Sequence, residues 1–292
     1  MHNFCTLFDS KYLERGLILY ESLGRHTHQP FMLHVLAMDQ ETEKILSVMA
    51  PRYMRVIPLE AVEYHAKLGE IKKGRTWQEY CWTCASQLLQ YLIGYVGDIT
   101  YLDADMIFFS DPAAIFEEIG RRSIAITPHR FTPQNKGQFS ANGHFNVSWV
   151  FIRNNPIGNA CVERWANQCR EWCFYRHEAG KFGDQKYLDE WPKLYKEELC
   201  EIENPGAGLA PWNLQNYTIT EGPRVDGQPV IFYHAHEFDE LGDGSFRLTH
   251  HPLRMSDRTF IYQPYVGMYR LMRKAVDEAR QGIQQPAAVR HR

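Results

Sequence analysis

Two carboxylates two residues apart, Asp103 and Asp105, interrupt the otherwise apolar stretch GDITYLDADMIFFSDP. Because successive side chains of a strand point to opposite faces, the spacing predicts that these acids converge while Ala104 turns away. Buried carboxylates repel each other and are costly to desolvate unless a cation or hydrogen-bond donors compensate for them. Mg²⁺ and Mn²⁺ leave positions open for phosphate oxygens, so the pair predicts a metal site. The alternative is a surface turn or a helix cap, the usual setting of an Asp-x-Asp triplet.

Two histidines with the same spacing, His234 and His236, end the apolar stretch PVIFYHAH. The strand pattern again predicts that both point to one face. Neutral imidazole binds Mn²⁺ and Zn²⁺, so two acids and one histidine would make a partial ligand shell that phosphate oxygens complete. A lone histidine is more often a core residue with satisfied hydrogen bonds, and this alternative stays open.

Four further polar residues lie next to predicted strands or turns. Asp9 follows the strand NFCTLFD, where it can accept hydrogen bonds from a base or ribose, or else cap the next helix. Asn146 opens an apolar strand, and its amide suits a sugar hydroxyl unless the backbone at a strand edge satisfies it. Asp184 and Gln185 follow a glycine turn, and Asp184 could simply cap the short helix after it.

The elements that must position these residues alternate between strand and helix. A βαβαβ run is predicted first, followed by a helix from about Tyr80 to Tyr95 that leads into the strand with the two acids. In open α/β sheets ligands bind outside the carboxyl ends of the strands, where Asp103 and Asp105 fall. Two loops rich in Gly, Pro, Asn and Gln, 129–145 and 203–217, are predicted to form walls or lids. The other predicted elements are strands 3–9, 31–38, 55–59, 123–128, 146–154 and 229–236 and helices 12–23, 41–49 and 159–175.

Composition restricts the class of protein. The 292 residues, 13% of them aromatic, can bury the core of one large α/β domain, and a net charge of -3 argues against a nucleic-acid-binding protein. The N-terminus has no basic leader followed by an apolar segment, and no stretch is as long and apolar as a membrane span. With seven cysteines, an odd number, the chain is predicted to be cytoplasmic with reduced thiols.

Two cysteine pairs and the C-terminus add weaker candidates. Cys81 with Cys84 and Cys169 with Cys173 could bind zinc together, but their helical periodicity favours small buried thiols. Residues 265–281 predict a basic amphipathic helix, which could contact anionic lipid, although a solvated face is the simpler interpretation. Residues 284–292 are predicted to fray. We therefore expect a domain at 1–264 and a C-terminal helix and tail at 265–292, the helix carrying Arg270, Arg273 and Lys274.

The ordered set of motifs resembles the retaining family 8 glycosyltransferases of the GT-A fold, which include glycogenin and bacterial lipopolysaccharide glucosyl- and galactosyltransferases. The motifs are a strand-end Asp9 with Tyr12, then YLDADMIFFSDP, FNVSWVFIRNN, GDQKYL and a late strand-end histidine, over about residues 3–237. The resemblance implies a single Rossmann-like GT-A domain with a mixed central sheet flanked by helices. It further implies transfer of a hexose from a nucleotide sugar, with UDP as the expected nucleotide, to a glycan or glycolipid, with retention and possible use in surface-polysaccharide synthesis.

The resemblance also assigns roles to residues. Asp103 and Asp105 would hold Mn²⁺ or Mg²⁺ on the donor diphosphate, with His234 as third ligand and His236 as its alternative. Asp9 would face the uridine and Asn146 the donor sugar. Asp184 and Gln185 would lie beside the anomeric carbon and the acceptor, with Gln185 matching the glutamine discussed as the family's weak nucleophile. The implied donor-binding residues are Thr6, Leu7, Phe8, Asp9, Tyr12, Asp103, Ala104 and Asn146.

Three departures from the family pattern concern the leaving group and the base. The stretch HAHEFDELGDG lacks the lysine that meets the diphosphate and the Pro-Trp that follows it, although a Pro-Trp occurs earlier in GLAPWNL. The helix before the two acids lacks the usual basic residue, which leaves Arg75, Lys72 and Arg130 as candidates. The N-terminal Asp-Asp-Asn-Tyr pattern is reduced to FDSKY.

Other classes fit the sequence less well. A phosphotransferase or phosphatase with an Asp-x-Asp site usually carries it on its first strand, and a nucleotidyltransferase would show a Gly-rich basic phosphate loop near the N-terminus. The remaining rival is a catalytically weak nucleotide-sugar or carbohydrate-binding protein on the same fold, because a fold does not guarantee activity.

Overall fold

A computed structural model describes residues 1–284 of the chain and centres on a seven-stranded mixed sheet. Its strand order is β3-β2-β1-β4-β7-β6-β8, and β7 alone among the seven runs antiparallel to its neighbours. The strands are β1 (His2–Phe8), β2 (Phe31–Ala37), β3 (Met54–Pro58), β4 (Ile99–Leu102), β5 (Met106–Phe108), β6 (Ile124–Pro128), β7 (Phe145–Ile152), β8 (Leu199–Glu201), β9 (Ile219–Thr220), β10 (Arg224–Val225), β11 (Gln228–Pro229), β12 (Phe232–His234), β13 (Asp239–Glu240) and β14 (Phe246–Arg247).

Helices cover both faces of this sheet. On one face α5 and α8 pack over Cys5 and Leu7 of β1, and on the other α1, α2 and α11 pack over Phe4 and Phe8. This alternation along β1 is what a strand buried on both faces requires. The helices are α1 (Leu13–His26), α2 (Gln40–Met49), α3 (Leu59–Ala66), α4 (Gly69–Lys73), α5 (Trp77–Val96), α6 (Ala113–Ile119), α7 (Gln138–Asn142), α8 (Pro156–Glu171), α9 (Trp191–Tyr195), α10 (Met255–Asp257) and α11 (Gln263–Gln284).

One edge of the sheet collects the polar residues of interest. β1 and β4 are parallel, so Asp9 and Asp103, which follow them, lie at the same edge. Because β7 is antiparallel to β4, its amino end lies at that edge too, and this brings Asn146 there. The predicted position of the site at the carboxyl ends of the strands therefore agrees with the sheet topology.

The predicted conformation of the Asp-x-Asp stretch is wrong in one respect. The chain does not run through it as one strand: β4 ends at Leu102, residues 103–105 form a turn, and β5 pairs with β12 in a separate two-stranded sheet. The cause is pairing with a segment more than a hundred residues away, which strand periodicity cannot reveal. The prediction that His234 and His236 point to one face of a strand is also wrong. β12 ends at His234, and His236 lies in the following turn.

The C-terminal helix is part of the core. Tyr265 and Tyr269 of α11 are buried, and Arg273 forms ion pairs with Glu14 (2.7 Å) and with Glu240. The charge of Arg273 is thus neutralised within the protein, so the expected contact with anionic lipid gains no support from it. No helix within residues 1–284 is long and apolar enough to cross a membrane. The predicted frayed end lies, from residue 285 onward, outside the described residues.

Close packing of α1 on β1 gives the first testable prediction. A Cβ at Gly16 would lie 2.3 Å from Cε1 of Phe8, so Gly16→Ala should lower the free energy of unfolding by about 1–3 kcal/mol through overpacking. Gly24→Ala on the same helix is the matched control, because the nearest atom would be Cζ of Phe31 at 3.7 Å, an ordinary contact. Urea denaturation measures both variants; equal stability of Gly16→Ala and wild type would contradict the packing described.

Candidate active site

Three possible metal ligands meet where β5 and β12 pair. Ligand atoms of Asp105, His234 and His236 all lie within 4.8 Å of one another, and Nε2 of His234 lies 3.0 Å from Oδ1 of Asp105. In residues 1–284 this is the one group of three or more His, Cys, Asp or Glu side chains that meets so closely. The donor set of carboxylate oxygen and imidazole nitrogen suits Mn²⁺.

Backbone hydrogen bonds fix these ligands. His234 is paired with Met106 across the two strands, the N–H of Ala235 donates to the carbonyl of Asp105 at 2.9 Å, and the N–H of His234 donates to Leu209 at 2.8 Å. Nδ1 of His234 is buried, and it has no hydrogen-bond partner in the described part of the chain. A buried imidazole with an unused nitrogen is a group that a cation or a ligand can satisfy.

Asp103 lies near the same imidazole nitrogen as Asp105, at a longer distance. Its Oδ2 is 3.8 Å from Nε2 of His234, and its N–H donates to the carbonyl of Ser148 on β7 at 3.3 Å. Asp103 is not in the closest ligand group, so the structure brings Asp105 and both histidines together more tightly than the two acids. His236, the expected alternative ligand, lies in the same close group as His234 and Asp105.

Charge and burial set the protonation of this cluster. Burial raises the pKa of Asp103 to about 6, with Asp105 adding to the shift and His234 opposing it. For Asp105 the cost of burial is outweighed by the adjacent His234, and its pKa falls to about 2. Burial opposes the charged form of His234, but the Asp105 and Asp103 carboxylates prevail and raise its pKa. The two carboxylates thus favour the protonated form of the His234 imidazole.

Asn146 lies in an irregularity of the sheet. The register between β6 and β7 shifts between Ile126 and Thr127 of β6, so β7 has a bulge after Asn146. Its Oδ1 accepts hydrogen bonds from the N–H (3.0 Å) and hydroxyl of Ser148, whose carbonyl accepts from Asp103. The predicted backbone satisfaction of Asn146 therefore holds for its oxygen, and Ser148 connects Asn146 to the backbone of Asp103.

Asp184 lies in the turn before a 3₁₀ helix, Gln185–Glu190, and Gln185 is the first residue of that helix. Asp184 is at the N-cap position but its side chain makes no capping hydrogen bond, so the simple cap interpretation is wrong. Burial, reinforced by the nearby Asp103, raises the pKa of Asp184 to about 8. Nε2 of Gln185 donates to the carbonyl of Asn142 at 2.7 Å.

Asp9 is held by a residue that sequence reasoning missed. Its Oδ2 accepts from the indole N–H of Trp77 at 2.8 Å and its Oδ1 from the N–H of Lys11 at 3.1 Å. It does not cap α1, whose N-cap is Tyr12, so that alternative is wrong. Tyr12 and Trp77 are both more than 40% exposed beside this carboxylate.

The remaining implied donor-binding residues are largely buried. Thr6, Leu7, Phe8 and Ala104 each expose 8% of their surface or less, and Leu7 and Phe8 pack into the two cores. Any donor contact by Leu7 or Phe8 would have to come from the main chain.

The cysteines do not form a metal site. The four candidate thiols are free, three of them are buried, and in the described part of the chain no cysteine joins a ligand group. Burial raises the pKa of Cys81 to about 12 and raises the pKa of the Cys84 thiol as well. They act as small core residues, as their helical periodicity predicts.

The three expected basic residues are occupied elsewhere. Arg75 donates to the carbonyls of Cys169 and Arg170, Arg130 to those of Ile202 and Ala207, and Lys72 pairs with Glu63 at 2.7 Å.

Another cation, Arg15 of α1, lies near the cluster. It is only 7% exposed, its guanidinium is 4.3 Å from the ring centre of Tyr12, and it is among the charges that lower the pKa of Asp105. An arginine inside the apolar helix segment LERGLIL was the signal available in the sequence.

The two predicted wall loops lie together next to the histidines. Trp212 donates its indole N–H to the carbonyl of His129 at 2.9 Å, and Arg130 ties 129–145 to the carbonyls at 202–207. The Trp212 ring centre is 5.4 Å from each of the rings of His234 and His236. Trp212, from the Pro-Trp of GLAPWNL, thus packs beside the two histidines of the candidate metal site.

Comparison with known proteins gives a family and a fold. A family model described as nucleotide-diphospho-sugar transferase matches residues 30–190, more than half of the chain. The uncharacterized protein YfnD of Bacillus subtilis is 30% identical over 275 residues, which span 90% of this chain and 87% of YfnD. YfnF of the same organism, also uncharacterized, is 29% identical over 276 residues, which span 90% of this chain and 89% of YfnF.

Solved structures share the fold at low identity. The galactosyltransferase LgtC, in complex with donor and acceptor sugar analogues, is 13% identical with a TM-score of 0.56, covering 94% of this chain and 95% of LgtC. The glycosyltransferase GlyE of Streptococcus pneumoniae is 15% identical with a TM-score of 0.56, covering 95% of this chain and 62% of GlyE. The predicted GT-A fold and the resemblance to this class of glycosyltransferases are confirmed.

Protonation of the cluster predicts how metal binding depends on pH. Asp103 has a pKa of about 6 and the pKa of His234 is raised above 6.5, so both groups bind protons at pH 5.5 and must release them to a cation. Mn²⁺ affinity, measured by calorimetry, should therefore be about tenfold or more weaker at pH 5.5 than at pH 7.5. Circular dichroism at both pH values controls for unfolding. An affinity that does not change over this range would contradict binding at these groups.

Proposed function

We propose, from the premise that the chain belongs to the nucleotide-diphospho-sugar transferase family, that it transfers a hexose from a UDP-sugar to a glycan or glycolipid with the help of Mn²⁺. One observation supports the use of a metal ion: ligand atoms of Asp105, His234 and His236 lie within 4.8 Å of one another at the edge of the sheet. Family membership supports a nucleotide sugar as the donor, and the choice of UDP and of a hexose is part of this proposal.

Different residues around the cluster would bind different parts of the donor. Asp105 and His234 would hold the cation, with His236 and Asp103 beside them, and the cation when bound supplies positive charge to the donor diphosphate. Arg15 adds a buried positive charge that acts on Asp105. Asn146, on the bulge, would contact the donor sugar.

Asp9 is proposed to bind the base. Trp77 orients its carboxylate, one oxygen of which still has a lone pair that can accept an N–H of the base. Tyr12 and Trp77 are the exposed aromatic side chains near this carboxylate and could stack on the base. The main chain of Thr6 to Phe8 lies at the same strand end, where donors commonly bind.

The protonation of Asp184 supports transfer with retention of the anomeric configuration. Its pKa of about 8 means that the carboxyl carries a proton at neutral pH before the donor binds, which makes it a poor nucleophile and a possible hydrogen-bond donor. We therefore favour front-face transfer: the anomeric C–O bond to the diphosphate breaks as the acceptor oxygen bonds to the same face, and the diphosphate takes the acceptor proton. Gln185, held on Asn142, would stand beside the anomeric carbon.

The acceptor class and location are further parts of the proposal. A surface-polysaccharide or lipopolysaccharide acceptor follows only from the resemblance to bacterial transferases. The seven cysteines are free thiols, six of them buried, which agrees with a reducing compartment such as the cytoplasm.

A binding protein without catalysis is the second candidate. Arg75, Lys72 and Arg130, the cations expected to help the leaving group, are all occupied by contacts elsewhere. A protein that binds UDP-sugars but releases no UDP from them would fit this candidate.

Nucleotide binding should be visible as a thermal shift. UDP at about a hundredfold excess over its dissociation constant should raise the melting temperature by about 5 °C, and only with Mn²⁺ present. GDP, CDP and ADP under the same conditions are the controls for base preference. No shift with any nucleotide and metal would overturn the proposal.

Loss of one charge should abolish this effect. Asp105→Asn removes the carboxylate next to His234, so Mn²⁺-dependent UDP stabilisation and UDP release from UDP-sugars should disappear while the protein stays folded. Asp277→Asn, on the half-exposed surface of α11, is the matched control and should behave as wild type. Unchanged turnover in Asp105→Asn would exclude this carboxylate as a metal ligand.

A further inference from the structure

An exposed aromatic surface lies immediately before Asp184 in the chain. Residues 172–184 form a loop whose tip is a hairpin, with mutual backbone hydrogen bonds between Glu178 and Lys181. Ala179 and Gly180 at its tip both have positive φ, as a tight hairpin turn requires. Four rings of this loop and of α5 form what we call the aromatic platform: Trp82, Tyr175, His177 and Phe182.

The rings of the platform support one another and leave faces exposed. The His177 ring is stacked on Phe182 at 4.4 Å, and Tyr175 lies 5.6 Å from both Trp82 and Phe182. Tyr175 is 65% exposed. Exposed clusters of large apolar groups are unfavourable in a monomer and commonly mark a binding surface.

The platform is held in place from α5. The N–H of Tyr175 donates to Oε1 of Glu79 at 2.8 Å, and Glu79 belongs to the capping box of that helix. Gly183 lies directly over Trp82, where a Cβ would be 3.3 Å from Cε3 of the indole. The surface is therefore built on a rigid element, as a binding site needs.

The platform is continuous with the candidate transfer site. Nε2 of His177 lies 3.4 Å from Oδ1 of Asn142, and the carbonyl of Asn142 accepts a hydrogen bond from Gln185. His177 of the platform and Gln185 thus contact the same residue, Asn142.

Polar groups surround the ring faces. Arg176 and Glu178 form an ion pair at 2.7 Å on the hairpin, and the edge of His177 and the hydroxyl of Tyr175 add hydrogen-bonding groups. A pyranose matches this pattern, because it has a face of C–H groups and a rim of hydroxyls. Aromatic faces take the C–H groups while the polar rim takes the hydroxyls.

We propose that the aromatic platform is the acceptor subsite and binds a pyranose ring of the acceptor glycan. This inference rests on the proposed function and deepens it, because it assigns the acceptor to a surface that the donor does not need. Tyr175 and His177 are the residues that contact the sugar, and Trp82 supports them from below.

The test separates acceptor binding from donor chemistry. Wild type and Tyr175→Ala are compared with UDP-glucose or UDP-galactose and Mn²⁺, with the methyl glycosides of glucose, galactose and mannose as acceptor probes. UDP release without acceptor and the affinity for UDP should stay within about twofold in Tyr175→Ala, while the KM for the acceptor rises about tenfold. Tyr175→Phe keeps the ring and should restore most of the acceptor affinity.

A matched control lies at the far end of α5, the helix that carries Trp82 of the platform. Tyr95 is 75% exposed near the end of α5, and Tyr95→Ala should change neither donor hydrolysis nor acceptor KM. An unchanged acceptor KM in Tyr175→Ala overturns the proposal. Equal losses of donor hydrolysis and of transfer also overturn it, because they would show a structural role for the loop.

Failure of the proposed function has a different signature. If wild type releases no UDP from any donor, the transferase proposal fails, and the platform is then judged by saturation-transfer NMR with the same methyl glycosides. Saccharide signals in wild type that disappear in Tyr175→Ala support a sugar-binding surface. No saccharide contact in wild type overturns it and assigns the platform to another kind of partner.

Discussion

The contact between Asp105 and His234 is the interaction on which the site depends. It joins a turn that leaves the central sheet at residue 102 to a strand that arrives at residue 232, and two flanking backbone hydrogen bonds fix the distance. A buried carboxylate needs a compensating partner, and the imidazole of His234 provides it for Asp105. Asp103 lies 3.8 Å from the same imidazole nitrogen, so the same histidine also compensates this second carboxylate.

The topology of the sheet explains why the other polar residues gather there. Parallel strands bring Asp9 and Asp103 to one edge, the single antiparallel strand brings Asn146 to it, and its bulge turns toward Asp103 through Ser148. Trp212 lies against both histidines, with its ring centre 5.4 Å from each of theirs. The proposed donor-binding residues come from strand ends and the proposed acceptor residues from a loop held by α5, so we expect that the two functions can be changed separately.

Sequence periodicity was sufficient to predict the strands and helices but not the distant residues that they contact. Alternating apolar residues identified the strands of the first third within one or two residues, and the ordered motifs were enough for the GT-A prediction. The conformation of residues 103–105 was wrong because the pairing of β5 with β12 overrides the local strand pattern. Trp77 and Arg15 were missed for the same reason: their partners Asp9 and Phe238 lie 68 and 223 residues away. Such contacts leave no local signal beyond an unexpected residue type.

The most direct measurement is an anomalous-diffraction map from crystals grown with Mn²⁺ and UDP. The account predicts one strong manganese peak about 2.0–2.3 Å from a carboxylate oxygen of Asp105 and from an imidazole nitrogen of His234, next to the UDP phosphates. A manganese peak at other residues, or UDP bound at the edge of the sheet with no manganese beside Asp105, would contradict it.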